Sequence, residues 1–158
     1  MEEYEYSFKV SNLKPYIEYC ENNNYEKISE VTQNRVVYEN KHSEHIIARI
    51  TTKITNDKRN TVFDCKNVNK KDRDLKISSE SVPMEVTENN EKSIYSMLEV
   101  LDFYEAAKNY RTRYVYKKND VTFEIDDYTK PKMQVIGIEG KKNKVDKVYN
   151  ELKELIGE

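Results

Sequence analysis

Charged and apolar residues alternate along several stretches of this chain, and this alternation indicates strands with two unlike faces. From residue 3 to residue 10, Glu, Ser and Lys occupy the odd positions, while Tyr, Phe and Val occupy the even ones. Successive side chains of a strand point to opposite faces, so this stretch has an ionic face and an apolar face. Residues 45–54, 61–66, 110–116 and 121–128 show the same division. We therefore predict strands whose charged faces gather around one site.

The rest of the pattern predicts further strands and three helices. Strands are expected over residues 26–32, 35–38, 75–86 and 133–140, and helices after Ser11-Asn12 and over residues 91–101 and 143–156. The highly charged segment 67–74 is expected to be a solvated loop. Because hairpin-length links dominate, the elements favour an α+β fold with a barrel-like antiparallel sheet. With only three glycines, Asn and Asp are expected at most turns.

Composition narrows the class of protein. The 158 residues fit a single domain spanning 1–158, and 27 basic against 29 acidic residues leave a net charge of -2. Such a balance gives no global field for nucleic acid or an anionic membrane, so phosphate recognition has to be local. Two cysteines without C-x-x-C spacing indicate neither a disulfide framework nor a zinc site. No targeting signal or apolar run of ~20 residues is seen, so we expect a cytoplasmic protein.

The charged faces have two explanations. A solvated side of a curved sheet is the commoner reason for charge at alternate positions. Here, however, the charges are segregated by sign, and arginine rather than lysine occupies strands where bidentate contacts with phosphate would be useful. The acidic pairs are Glu3 with Glu5 and Glu124 with Asp126, and the basic pair is Arg111 with Arg113. This segregation favours a binding site.

The charged motifs occur in a recognisable order. They are Glu3-Tyr4-Glu5-Tyr6-Ser7, Ala48-Arg49-Ile50-Thr51, the stretch ending at Lys66, the strand carrying Glu80, Arg111-Thr112-Arg113-Tyr114-Val115-Tyr116, Glu124-Ile125-Asp126-Asp127 and Gly137-Ile138-Glu139-Gly140. In order and spacing, over nearly the whole chain, they resemble the CYTH superfamily. This superfamily comprises triphosphate tunnel enzymes such as class IV adenylyl cyclases, thiamine triphosphatases and inorganic triphosphatases.

The resemblance implies an eight-stranded antiparallel β-barrel with a few flanking helices and a charged tunnel inside. It implies that carboxylates hold Mg²⁺ or Mn²⁺, as hard cations prefer oxygen ligands, and that basic residues bind a triphosphate. The implied metal ligands are Glu3, Glu5, Glu80, Asp126 and Glu139. The implied substrate contacts are Lys9, Arg49, Lys66, Lys76, Arg111 and Arg113. Of these two sets, Glu5, Lys66 and Arg113 are the implied catalytic residues.

Three positions depart from the family pattern. Ser7 stands where the family has lysine, Thr51 where it has arginine, and Gly137 where it has glutamate. Lys9 lies on the same strand face as Ser7, about 7 Å further along, and is a candidate substitute. His42, His45 and Cys65 lack the partners of catalytic groups at diagnostic spacing, so we expect structural or surface roles for them.

The leading functional prediction is metal-dependent hydrolysis of a triphosphate compound, which is inorganic, nucleoside or thiamine-linked. The alternatives are cyclisation of ATP to cyclic AMP, a non-catalytic binder of polyphosphate or nucleotide, which the three departures favour, and a structural domain with a solvated charged face. The expected partner is a small triphosphate-bearing molecule, with no nucleic acid or membrane. Homodimerisation is left open.

Overall fold

The computed structural model describes residues 2–156, which form nine strands and three α-helices. The strands are β1 (Glu2–Val10), β2 (Glu26–Asn40), β3 (Ser43–Thr55), β4 (Lys58–Asp72), β5 (Leu75–Glu80), β6 (Met84–Glu85), β7 (Phe103–Lys118), β8 (Val121–Lys130) and β9 (Lys132–Gly140). The helices are α1 (Lys14–Asn22), α2 (Glu91–Val100) and α3 (Lys142–Ile156). None of them, within the described residues, has the length and apolar character needed to cross a membrane.

Eight of the strands close into a barrel. Their order is β3-β2-β7-β8-β9-β1-β5-β4, all neighbours are antiparallel, and β4 pairs with β3 to complete the ring. The two-residue strand β6 pairs with β4 alongside the ring. The predicted eight-stranded antiparallel barrel with flanking helices is therefore confirmed.

The main hydrophobic core lies on the outside of the barrel. The outward-pointing side chains of β8 and β9 pack under α1 and α3, and Phe123, Ile125, Ile136 and Ile138 have no exposed surface. The ring of Phe123 packs beside two tyrosines of the α1 region at centroid distances of 5.2 and 5.9 Å. Since the apolar face of each strand is used outside, the charged face is left to line the interior.

A second apolar cluster attaches α2 to the opposite part of the barrel. Ile94 and Leu98 of α2 pack on Ala48 and Ile50 of β3, and all four are buried. The helical spacing of Ile94, Met97, Leu98 and Leu101 predicts a core face. This prediction is confirmed for Ile94 and Leu98 but is wrong for Met97 and Leu101, which are 46% and 58% exposed.

The strands are longer than the alternation predicted. The prediction that segment 67–74 is a solvated loop is wrong, because β4 continues to Asp72. Its backbone pairs with β5 from Asn67 opposite Ser79 to Asp72 opposite Leu75, and this hairpin outweighs the high charge of the side chains. The ladder is therefore set by pairing that the local composition does not reveal.

Three other boundaries differ from the predictions. Residues 26–32 and 35–38 belong to one strand, β2, because Gln33 and Asn34 pair with both neighbouring strands. The predicted strand 75–86 is divided into β5 and β6 around Pro83, which cannot donate to a ladder. Finally, β7 begins at Phe103 rather than near residue 110, through pairing with β2.

Asparagine and aspartate supply most of the left-handed turn conformations, as expected. The non-glycine residues with positive φ among residues 2–156 are Asn24, Asn56, Asp57, Arg73, Asp102 and Asn119. Short polar side chains tolerate this region better than others, so they replace glycine at these turns.

Candidate active site

The interior of the barrel is a charged cavity of about 780 Å³. Its basic lining residues are Arg35, Arg49, Lys66, Lys70, Lys71, Lys76, Arg111 and Arg113, and its acidic ones are Glu3, Glu5, Glu44, Glu80, Glu124, Asp126 and Glu139. Inward-pointing positions of adjacent strands bring them together, although they are far apart in sequence. Charge of both signs is thus concentrated in one cavity.

All but one of the residues that the sequence analysis assigned to the site line this cavity. Those lining it are Glu3, Glu5, Arg49, Lys66, Lys76, Glu80, Arg111, Arg113, Asp126 and Glu139. Lys9, suggested as a substitute for the lysine missing at Ser7, is exposed and is not among the lining residues. Its register partner on β9, Val135, does line the cavity, so Lys9 lies on the inward face of β1 at the margin of the site.

Three of the predicted metal ligands form one carboxylate cluster. Glu3 and Glu5 lie on the same face of β1, and Glu5 is directly opposite Glu139 of β9. One carboxylate oxygen from each residue lies within 4.8 Å of the others. We call Glu3, Glu5 and Glu139 the carboxylate wall.

The electrostatics of the carboxylate wall suit a cation. Burial, a hydrogen bond with Glu80 and the charge of Glu139 raise the pKa of Glu3 to about 10. Burial, together with the charges of Glu124 and Glu5, raises the pKa of Glu139 to about 7. Both shifts arise because neighbouring negative charges in a desolvated site disfavour ionisation. A divalent cation with oxygen ligands relieves this repulsion, so the donor set fits Mg²⁺ or Mn²⁺.

The other two predicted ligands are engaged by basic residues. Glu80 accepts a hydrogen bond of 3.0 Å from Arg49 and lies 3.5 Å from Lys66 Nζ. Burial opposes ionisation of Glu80, but the hydrogen bond with Glu3 and the charges of Lys66 and Arg49 lower its pKa overall. Glu80 is therefore the ion-pair partner of Arg49 and Lys66, and it contacts the carboxylate wall through its hydrogen bond with Glu3.

Asp126 is held by arginine rather than placed in the carboxylate cluster. Arg113 donates two hydrogen bonds to its carboxylate, at 2.8 and 2.9 Å, and a third of 2.7 Å to Glu124. Burial would lower the pKa of Arg113, but the charge of Glu124 and the bonds with Asp126 raise it overall. Arg113 and Asp126 are direct register partners on β7 and β8, which brings the two groups together.

Two further arginines complete a basic surface. Arg111 is 4% exposed and donates to Gln33 Oε1 at 2.9 and 3.0 Å and to the Tyr128 hydroxyl at 2.6 Å. Arg49 donates to Asp64 at 3.0 Å and to Glu80. We call Arg49, Arg111 and Arg113 the arginine wall. Each guanidinium is fixed in position by its partners, so the surface is preorganised.

The two walls occupy different strands of the ring. In the closed ring of eight strands, β3 is four places from β9 and three from β1, and β7 is three places from β1 and two from β9. The arginine wall is on β3 and β7, and the carboxylate wall is on β1 and β9. An elongated anion between them can contact guanidinium groups on one side and a cation on the other.

Sequence reasoning missed several lining or supporting residues. They are Gln33, Arg35, Asp64 and Tyr128. A continuous alternation through Gln33, Arg35 and Val37 would have found the β2 positions, but the predicted break after Thr32 concealed it. His42 also has a carboxylate partner, Asp102 at 2.6 Å, which its sequence spacing did not show. That pair is exposed and lies outside the cavity.

The three departures from the family pattern lie on two ladders inside the barrel. Ser7 is opposite Gly137 on β1 and β9, so two small residues adjoin there. Thr51 is opposite Arg35 on β3 and β2, and Arg35 Nε donates to its hydroxyl at 2.9 Å. The first pair leaves a neutral gap in the wall, whereas the second retains a guanidinium.

Comparison with known proteins supports the fold. No family model matches the chain, and no curated protein sequence matches it. Among solved structures, the PH1012 protein from Pyrococcus horikoshii is similar, with a TM-score of 0.74 and 19% identity over 98% of this chain and 90% of that one. The proposed adenylyl cyclase HpAC1 from Hippeastrum, described as having a dominant triphosphatase activity, is also similar. Its TM-score is 0.68 and its identity 12%, and the match covers 96% of this chain and 87% of that one.

A third similar structure comes from a Mediator head module. A chain of the Schizosaccharomyces pombe Mediator head module gives a TM-score of 0.65 and 10% identity, covering 99% of this chain and 95% of that one. At these identities the likeness shows a shared fold, so the fold expected from the CYTH resemblance is confirmed. Because one fold supports unrelated functions, the activity has to be argued from the site.

Proposed function

We propose that this chain is a member of the CYTH superfamily and hydrolyses the terminal phosphoryl bond of a triphosphate compound with the help of a divalent metal ion. The observation that carries the proposal is the presence of an arginine wall and a carboxylate wall together inside one closed barrel. A triphosphate is an elongated polyanion that needs both guanidinium groups and a cation along its length. Few other small ligands require both surfaces at once.

The carboxylate wall is the proposed metal site. Glu3, Glu5 and Glu139 would hold Mg²⁺ or Mn²⁺, with Glu80 next to them through its hydrogen bond with Glu3. When bound, the ion would neutralise charge on the phosphoryl group that is transferred. Asp126 has no part in this set because Arg113 already binds its carboxylate.

The basic residues are the proposed contacts of the phosphate chain. Arg49, Arg111 and Arg113 would bind phosphate oxygens with the N–H groups that their protein partners leave free. Lys66, 3.8 Å from Glu3, stands beside the metal site and would contact the phosphoryl group nearest to it. Lys76 lines the cavity opposite Glu5 in register. Burial lowers the pKa of Lys76 although Glu5 opposes that effect, and a bound polyanion would favour its charged form.

The proposed reaction is a direct displacement by water. The water oxygen forms a bond to the terminal phosphorus while the bond to the bridging oxygen breaks, giving inorganic phosphate and a diphosphate. The proton of the water passes to solvent. Arg113 and Lys66 would stabilise the charge that develops, from positions already fixed by Asp126, Glu124 and Glu80, so little reorganisation is needed.

A non-catalytic polyphosphate binder is the second candidate. Two observations favour it. Ser7 and Gly137 leave a neutral gap next to the carboxylate wall, and no cation stands at that position. In addition, several of the basic groups are already paired with carboxylates. Binding without turnover needs only the arginine wall, so this candidate makes a different prediction for product release.

The test is a turnover assay. Purified protein with Mg²⁺ or Mn²⁺ is incubated with tripolyphosphate, ATP and thiamine triphosphate, and inorganic phosphate and cyclic AMP are measured. Metal-dependent phosphate release supports the hydrolase, and cyclic AMP would instead indicate a cyclase. Thermal stabilisation by tripolyphosphate without turnover supports the binder. If neither turnover nor stabilisation occurs, the proposal is wrong.

The Glu5→Gln variant locates the metal site. We expect it to fold and to lose metal-dependent phosphate release, because an amide is a weaker ligand than a carboxylate for a hard cation. Glu88→Gln is the matched control, since Glu88 is exposed on the loop before α2. Equal loss of activity in both variants would contradict the assignment.

A further inference from the structure

Arg35 is a cavity-lining guanidinium that differs from the other arginines of the barrel. It lies on β2 and points into the cavity, as does Val37 two residues further along the strand. Its Nε donates to the hydroxyl of Thr51, its register partner on β3, at 2.9 Å. Thr51 is itself buried and uncharged. The contact therefore orients the guanidinium without neutralising it.

Within residues 2–156, Arg35 has no carboxylate at ion-pair distance, whereas Arg49, Arg111 and Arg113 each have at least one. Burial and the charges of the other three arginines lower the pKa of Arg35 to about 9. A buried cation is expensive unless an opposite charge accompanies it. A bound anion would provide that charge.

The topology shows what Arg35 adds. Strand β2 lies between β3, which carries Arg49, and β7, which carries Arg111 and Arg113. Without Arg35, a strand with no inward-pointing cation would separate the two parts of the arginine wall. In the ring of eight strands, β2 is also four places from β1, so Arg35 lies across the barrel from Glu3 and Glu5.

We propose that Arg35 is a phosphate-binding residue that supplies, from β2, the guanidinium that Thr51 lacks on β3. The Thr51 hydroxyl holds its Nε, and the two terminal nitrogens contact the anion. The polyphosphate identity of that anion rests on the proposed function. The position of a cationic contact on β2 rests on the geometry of Arg35 alone.

The test is calorimetric titration of tripolyphosphate into metal-free protein, in which hydrolysis does not interfere. Losing a charge-assisted bidentate contact is expected to weaken the affinity of Arg35→Gln by about tenfold to a hundredfold. Arg35→Lys keeps the charge without the fork and is expected to give an intermediate loss. Arg59→Gln is the matched control, because Arg59 is exposed on β4.

Thermal unfolding separates a binding role from a structural one. Removing a half-buried cation that has no counter-ion is expected to leave the melting temperature of ligand-free protein unchanged or raise it. The stabilisation by tripolyphosphate should shrink in the same variant. A clear fall in the ligand-free melting temperature with undiminished affinity would overturn the proposal.

The exchanged variant tests the position itself. In Arg35→Thr/Thr51→Arg the guanidinium moves across the ladder to β3, and we expect its affinity to recover most of what Arg35→Thr alone loses. An exchanged variant that folds and binds as weakly as Arg35→Thr would contradict the equivalence of the two positions.

The outcomes also separate this inference from the proposed function. If wild-type protein binds tripolyphosphate without hydrolysing it and Arg35→Gln binds more weakly, the inference is supported and the hydrolase is not. If both proteins bind equally, the inference is overturned while the proposed function stands. If the wild type does not bind tripolyphosphate, both are overturned.

Discussion

The outer and inner faces of the barrel are built from the same strands by opposite physical means. On β8, Phe123 and Ile125 point outward into a close-packed apolar core under α1 and α3, whereas Glu124 and Asp126 point inward to Arg113. The outer face stabilises the fold by burying apolar surface. The inner face holds charges that are stable only when they are paired or bound. The comparison separates residues that maintain the fold from residues kept for a ligand.

The largest expected effect comes from breaking the outer core. Phe123→Ala removes a fully buried ring of β8 that packs against the α1 region. This change should lower the free energy of unfolding by about 3–5 kcal/mol. Chemical denaturation measures this loss. The control is Ile28→Ala, since Ile28 is 51% exposed and should change stability little. Similar losses in the two variants would mean that the outer core is not the main source of stability.

The next effect comes from breaking a charged pair inside the barrel. Arg113→Gln leaves Asp126 and Glu124 without their main partner, so we expect a loss of about 3 kcal/mol in the free energy of unfolding. The double variant Arg113→Gln/Asp126→Asn should recover part of it, because one uncompensated carboxylate is removed. Additive losses in the double variant would show that the pair is not coupled.

A smaller effect is expected where α3 meets β1. The Asp146 carboxylate accepts hydrogen bonds from the hydroxyls of Tyr4 and Tyr6, both 2.7 Å long. Burial opposes ionisation of Asp146, but these bonds and Lys142 lower its pKa overall. Asp146→Asn should cost about 1–2 kcal/mol at neutral pH, since hydrogen bonds to a charged acceptor are stronger than neutral ones.

The pH dependence gives this prediction its sign. Because the pKa of Asp146 is lower in the folded protein, its contribution is present above the ordinary carboxyl pKa of about 3.9 and is lost as the pH falls through the folded value. The difference in unfolding free energy between wild type and Asp146→Asn should therefore shrink below about pH 4. A difference that grew on acidification would contradict the assignment.

The smallest expected effect tests the boundary of the site. Lys9 is exposed and does not line the cavity, so Lys9→Gln should change tripolyphosphate affinity by less than about 0.5 kcal/mol. Lys66→Gln, at a buried lining position beside Glu3, should weaken the same affinity much more. A large effect at Lys9 would extend the site beyond the cavity.

Alternation within a strand could be recognised from the sequence, but register across strands could not. The divided stretch from Glu3 to Val10 correctly predicts that Glu3, Glu5 and Ser7 of β1 line the interior, whereas Lys9 on the same face does not. It could not show that Glu5 lies opposite Glu139 or that Arg113 lies opposite Asp126. The family resemblance implies Asp126 and Glu80 as metal ligands, and in the structure arginine binds both of them.

Local composition concealed two features of the barrel. Lys70 and Lys71 make residues 67–74 look like a loop, yet their backbone pairs with β5 and both residues border the cavity. Arg35 was missed because a predicted break divided β2 next to it. Long-range pairing decided both cases, and pairing depends on partners distant in the chain.

The measurement that tests the central claim most directly is calorimetric titration of tripolyphosphate into wild-type protein, with Mn²⁺ and again with the metal chelated. The arginine wall and the carboxylate wall in one cavity predict saturable binding of one tripolyphosphate per chain, tighter with Mn²⁺ than without it. Absence of saturable binding under both conditions would contradict the assignment of the barrel interior as a triphosphate site.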